Sequence, residues 1–154
     1  MKVLLLCHIE EMFSDYFPEG YRYHVVKELI TGEYDKVFAL VSGVQEDEPI
    51  EEIVAHGYDA ISWSWGYDAE YCYDWECETC GYGAEYVGEE KCPWVVTDNC
   101  GHDAAWVPPE LRDDACKTWD IHIGGGYHSE CLQDLRAVLE YMGLDYTEEP
   151  DIIY

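Results

Sequence analysis

Asp120-Ile-His-Ile-Gly-Gly-Gly-Tyr-His-Ser-Glu-Cys-Leu-Gln-Asp-Leu-Arg-Ala-Val-Leu-Glu-Tyr-Met142 is the stretch whose reading decides the fold. Ile121 and Ile123 alternate with polar neighbours, as in a strand. Three glycines follow, and then Leu132, Leu135, Val138, Leu139 and Met142 recur at a spacing that puts them on one helical face. The stretch therefore predicts a strand, a tight turn and a helix. Ser129 is the expected N-cap and Gly143 the C-cap, and Leu144 to Tyr146 can start another strand. Such units build α/β sheets whose ligands collect at the carboxyl ends of the strands, which places Gly124 to Cys131 beside whatever is bound.

The upstream chain has the same rhythm. Val3 to Cys7 is continuously apolar, as a strand covered on both faces should be, and Lys2 to Ile9 is the first predicted strand. It runs into His8-Ile9-Glu10-Glu11-Met12-Phe13, with a loop at Ser14 to Gly20. A helix over Tyr21 to Ile30 turns Val25, Val26, Leu29 and Ile30 inward, and Lys36 to Val41 is the second strand. A short helix starting at Asp47 and Pro49 ends near Gly57, and Ala60 to Trp65 reads as a third strand. After Trp94 to Thr97 resumes extended structure, Pro108-Pro109-Glu110 opens a short helix or turn to about Asp114. The pattern predicts one α/β domain over 1–154: a Rossmann-like, three-layer parallel sheet with a cysteine-containing acidic insertion at 67–100.

Eight Lys and Arg against 34 Asp and Glu give a net charge of −26. Such a chain repels nucleic-acid backbone and anionic lipid, which argues against nucleic acid and membrane as partners. Acids spread along the chain suit a halophilic surface; nucleic-acid mimicry and cation binding are the other two readings. No apolar run approaches the length of a membrane span, and Val3 to Leu6 is too short for a signal peptide, so a soluble, cytoplasmic protein is expected.

The chain has eight cysteines. Cys77-Glu-Thr-Cys80-Gly81 has the form of a zinc knuckle, in which two thiolates can chelate one tetrahedral ion. Cys92 and Cys100 complete a four-thiolate structural Zn2+ site, with Cys72 and His102 as substitutes. The other reading is an acidic loop with reduced thiols. Tyr67 to Lys91 carries eight acids and little apolar content, so a metal would help hold it.

Cys131 falls in the first turn of the late helix, where the dipole and unpaired N–H groups favour a thiolate. The alternative is a small residue packing helix against sheet. The first strand ending in a polar stretch closed by Phe13, and the late Gly125 to Cys131 followed by Leu132, together resemble the isochorismatase-like cysteine hydrolases. This resemblance implies that Cys131 is the nucleophile. In that family an Asp-x-Gln-x-x-Phe pattern ends the first strand and supplies a base. Here His8 holds the aspartate position and Glu10 the glutamine position. The family's central lysine has no well-placed match, since Lys91 precedes the strand at Trp94 and Lys117 comes late; His102 is the better-placed substitute.

A histidine is a competent base for a thiol, and either His8 or His128 is placed to take the proton. The expected catalytic set is therefore Cys131, His8 and His102, with Glu10, Phe13, Gly125, Gly126, Tyr127 and His128 near substrate. Backbone N–H groups around Tyr127 to Cys131 are candidates for oxyanion stabilisation. His122 reads as a packed or edge residue and His24 and His56 as helix-surface positions. Two functions from different classes follow. One is a diverged cysteine hydrolase of a small amide-type substrate. The other is a non-catalytic, zinc-stabilised structural or interaction protein, which offers an acidic, aromatic surface to a protein partner or forms a homo-oligomer.

Overall fold

The computed structural model describes residues 1–41, 48–62, 75–76, 83–84, 95–97, 103–129 and 131–154. Its strands are β1 (Lys2–Cys7), β2 (Lys36–Val41), β3 (Asp59–Ser62), β4 (Trp75–Glu76), β5 (Gly83–Ala84), β6 (Val95–Thr97), β7 (Asp103–Trp106), β8 (Asp120–Gly125) and β9 (Tyr146–Ile153). Its α-helices are α1 (Tyr21–Thr31), α2 (Glu51–His56) and α3 (Cys131–Tyr141). Five strands form one all-parallel sheet in the order β3-β2-β1-β8-β9. Two antiparallel ladders, β4 with β5 and β6 with β7, stand apart from it. The α/β expectation holds in this form. The four cysteines assigned to zinc, Cys77, Cys80, Cys92 and Cys100, lie outside the described residues, as do Cys72 and His102.

The apolar run of β1 is explained by two cores, one on each face of the sheet. Val3, Leu5 and Cys7 point to one face, where they meet Phe38, Leu40, Ile121, Ile123 and the buried residues of α3. Leu4 and Leu6 point to the other, against Tyr21, Val25 and Leu29 of α1 and Ile53 of α2. Side chains alternate along a strand, so a central strand covered on both faces has no place for a polar residue. The α3 stripe is as the spacing predicts: Leu132, Leu135, Val138 and Leu139 are fully buried. Gly143 N–H donates to the Glu140 carbonyl at 3.0 Å and Leu144 N–H to that of Leu139 at 2.8 Å, closing the helix in a Schellman motif with Gly143 at φ 66°.

Some elements differ from the sequence reading. Glu11–Tyr16 is a 3-10 helix rather than the start of a loop at Ser14, and Asp114–Thr118 is another that precedes β8, whereas the short helix or turn expected at Pro108-Pro109-Glu110 is present as a 3-10 helix over Pro109–Leu111. β9 runs eight residues and contains Pro150, which an edge strand tolerates beside an irregularity; its register with β8 shifts between Ile123 and Gly125. Among the described residues no helix is long and apolar enough to cross a membrane.

Candidate active site

Because the sheet is parallel, the segments leaving β1 and β8 emerge side by side. Cys7 is opposite Gly125 in the ladder, and Gly126 N–H donates to the Cys7 carbonyl at 2.9 Å. Gly125 makes this possible: at φ 92°, a Cβ there would fall 2.0 Å from the Cys7 oxygen. At Gly126 a Cβ would meet the Tyr154 ring at 2.6 Å, and the Gly126–Tyr127 peptide bond is cis. The turn is fastened by β9's exit: Tyr154 N–H donates to Gly125 O at 3.1 Å, and His128 N–H to Tyr154 O at 2.7 Å. Cys131 is then the first residue of α3, half-buried with a free thiol.

His8 follows β1 directly, with φ 48°, a left-handed conformation uncommon outside glycine. Its backbone is held from two sides: its N–H donates to Leu40 O at 3.2 Å, and its carbonyl accepts from the Tyr154 hydroxyl. The ring packs against Phe13, with centroids 5.0 Å apart. His8 Nδ1 lies 3.4 Å from Glu10 Oε1, and the ring also interacts electrostatically with Cys131. Burial, the largest single influence on the imidazole, pushes its pKa down. Its interactions with Cys131 and Glu10 outweigh that and raise it to about 9.

Glu10, expected among the substrate-binding residues, is fully buried. It bridges Pro49, while Ile50 N–H donates to Ile9 O at 3.0 Å and Glu11 N–H to Glu48 O at 3.1 Å, so the segment before α2 fixes its position. A buried carboxylate needs compensation, and the imidazole it faces is the means. Cys131, His8 and Glu10 thus form a line of thiol, imidazole and carboxylate. All three residues were candidates from sequence, but Glu10 was expected near substrate rather than behind His8; the i, i+2 spacing of His8 and Glu10 was the available signal.

Cys7 faces the same side of the sheet as α3. Burial, followed by the charges of Cys131, Glu10 and Asp134, holds its thiol well above the ordinary range. Cys7 is therefore a protonated, inert neighbour to Cys131. Tyr154 is also raised, by burial first and then by Tyr21, Glu10, Cys7 and Cys131, so its hydroxyl keeps the proton it donates to His8.

The remaining expected residues are distributed around this line. Tyr127 packs its ring on Tyr154 at 5.7 Å and on Tyr16 at 5.3 Å. His128 is engaged elsewhere: its Nδ1 is 2.9 Å from Arg136 Nη2, and its carbonyl accepts from Nη1 at 2.7 Å. Arginine has only donors, so Nδ1 accepts and the ring proton sits on Nε2. Arg136, buried on α3, also meets Glu148 of β9 through Nε at 2.6 Å and Nη2 at 3.3 Å. This clamp was not foreseen from sequence. Among the turn's N–H groups, those of Gly126, His128 and Leu132 donate to Cys7, Tyr154 and Tyr127 carbonyls. An oxyanion donor from the described turn would come from Tyr127, Ser129 or Cys131.

His122 is a packed residue of β8, as expected, with Nδ1 2.5 Å from Glu149 Oε1 and Nε2 3.4 Å from Asp120 Oδ1. Among the described residues no group of three or more His, Cys, Asp or Glu side chains could hold a metal ion. Compared with known proteins, the chain matches no family model, no curated protein and no solved structure.

Proposed function

We propose that the protein is a cysteine hydrolase of a small amide-type substrate, an isochorismatase-like enzyme whose base is a histidine backed by a glutamate. The observation that carries this reading is His8, which interacts electrostatically with Cys131 and faces buried Glu10. Thiol, imidazole and carboxylate in this order are what nucleophilic catalysis requires: a nucleophile, a base within reach, and a third group that orients the base.

In the proposed reaction His8, its pKa raised to about 9, already holds the proton beside Cys131; Sγ bonds the substrate carbonyl carbon, and the carbonyl π electrons move to oxygen. Backbone N–H groups of the β8–α3 turn stabilise that oxyanion. As the tetrahedral species collapses, the C–N bond breaks and the leaving amine takes the proton from His8. Water then attacks the thioester, with His8 accepting its proton, and the C–S bond breaks to release the acid and restore the thiolate. Glu10, 3.4 Å from Nδ1, favours the imidazolium form of His8.

The test is a burst assay with p-nitrophenyl acetate, an activated acyl donor, followed by intact-mass and peptide analysis. The expected result is rapid release of p-nitrophenolate with acetyl recovered on Cys131, lost in Cys131→Ala and strongly slowed in His8→Gln. Acetylation spread over other residues, with both variants behaving as the unmodified protein, would overturn the reading.

A further inference from the structure

Tyr16 and Tyr127 join the two segments that carry the reacting groups. In a 3-10 helix side chains at i and i+3 eclipse, so Phe13 and Tyr16 share one edge of Glu11–Tyr16. Phe13 packs on His8, and Tyr16 packs edge-on against Tyr127, which belongs to the turn leading into Cys131. From Tyr154, which touches the His8 carbonyl, the rings step outward through Tyr127 to Tyr16, and exposure rises to 36% at Tyr127 and 57% at Tyr16. Solvent-facing aromatic surface thus borders the turn that leads into Cys131.

Outside the His8 imidazolium, carboxylates dominate the charge around it. Glu10, Glu11, Asp15, Glu48, Glu51 and Glu52 all lie on the segments that leave the carboxyl end of β1 or enter α2 beside it. The guanidinium groups on that side are already engaged: Arg22 with Glu11 and with Glu52 at 3.2 Å, and Arg136 with Glu148. Lys2 and Lys36 begin β1 and β2 and Lys117 precedes β8, so these lysines stand at the opposite, amino edge of the sheet. An anion approaching Cys131 meets a repulsive field, whereas a cation is drawn in and finds two tyrosine rings.

We infer that the Cys131 site takes cationic acyl substrates, with the positive group seated against Tyr16 and Tyr127. This rests on the hydrolase reading and assigns the substrate class of the same site. Both rings are specificity-determining residues.

The probes are three methanethiosulfonates, bearing a trimethylammonium, a sulfonate or a neutral methyl group, with labelling read at Cys131 by peptide mapping and each rate divided by that for a small free thiol. The expected result is a cation-to-anion preference of about tenfold or more at low salt, collapsing severalfold in about 1 M salt, where the Debye length is only about 3 Å. Tyr16→Leu combined with Tyr127→Leu should lower the cationic-to-neutral rate ratio severalfold, while Tyr16→Phe, which keeps the ring, retains it. An anionic reagent that labels as fast as the cationic one overturns the inference, and so does a double variant with an unchanged cationic-to-neutral ratio. The hydrolase reading fails separately, in the acyl burst assay, and is indifferent to these ratios.

Discussion

The Tyr154 hydroxyl donates a hydrogen bond to the backbone carbonyl of His8, a residue 146 positions earlier in the chain. Two further bonds, Tyr154 N–H to Gly125 O and His128 N–H to Tyr154 O, attach the same residue to the turn that leads to Cys131. Tyr154 therefore sets the separation of nucleophile and base without being either. Tyr154→Phe keeps the ring contacts with Phe17, Tyr21 and Tyr127 but leaves the His8 carbonyl without its donor. An unfilled buried acceptor costs about 1 to 3 kcal/mol. Urea titration should show a loss in that range, and alkylation of Cys131 should slow severalfold.

His8 carries a pH dependence whose sign follows from its raised pKa. A histidine with folded pKa near 9 against an ordinary value of 6.5 binds its proton more tightly folded than unfolded. Its contribution to stability is complete below the ordinary value and is lost as pH rises through about 9. Urea midpoints measured from about pH 6 to about pH 10 should fall more steeply between the ordinary value of 6.5 and about 9 for the unmodified protein than for His8→Gln. Parallel curves would show that the ring gains nothing from Cys131 and Glu10.

Arg136 supplies a second, opposite dependence at acid pH. Its guanidinium hydrogen-bonds Glu148 and holds that carboxyl below the usual range. The contribution is present above the ordinary carboxylate pKa and disappears as pH falls through the depressed one. Glu148→Gln should flatten the acid limb of the stability profile. Arg136→Met should cost about 1 to 3 kcal/mol, because it also removes the donor to the turn at His128, and it should disturb Cys131 reactivity more than Glu148→Gln does.

Gly125 is predicted to be irreplaceable. Alanine there must take φ 92° and place its Cβ 2.0 Å from the Cys7 oxygen, a backbone atom that can withdraw only by opening the β1–β8 ladder. A loss of at least about 2 kcal/mol is expected from strain and overpacking together. Gly57 has φ 96° but no atom within 4 Å of where an alanine methyl would stand, so Gly57→Ala isolates the backbone contribution from the clash. Thermal unfolding of the two variants should rank Gly125→Ala well below Gly57→Ala.

Much of the architecture was legible because it is local. The α3 stripe, the glycine stop at Gly143 and the uninterrupted apolar run of β1 each follow from side-chain periodicity within one element. β9 was harder to read: Thr147-Glu-Glu-Pro-Asp151 has no strand pattern, and its edge position is stabilised by Glu148 on Arg136 and Glu149 on His122, partners on other elements. The 3-10 helix at Glu11–Tyr16 was likewise hidden, since its packing is with His8 and Tyr127 rather than within itself.

By itself the sequence determined that an α/β sheet would bring the exits of an early and a late strand to one edge, and hence that His8 and Cys131 would be candidates for a shared site. Parallel topology follows from the order of elements, and ligand position follows from topology. Only the tertiary structure decided how the site is assembled: Glu10 behind His8, Tyr154 on the His8 carbonyl, Arg136 on His128, and Tyr16 against Tyr127. The reason is physical. Hydrogen bonds and ring contacts depend on distances of a few ångströms between side chains from separate elements, and no periodicity along a single element encodes them.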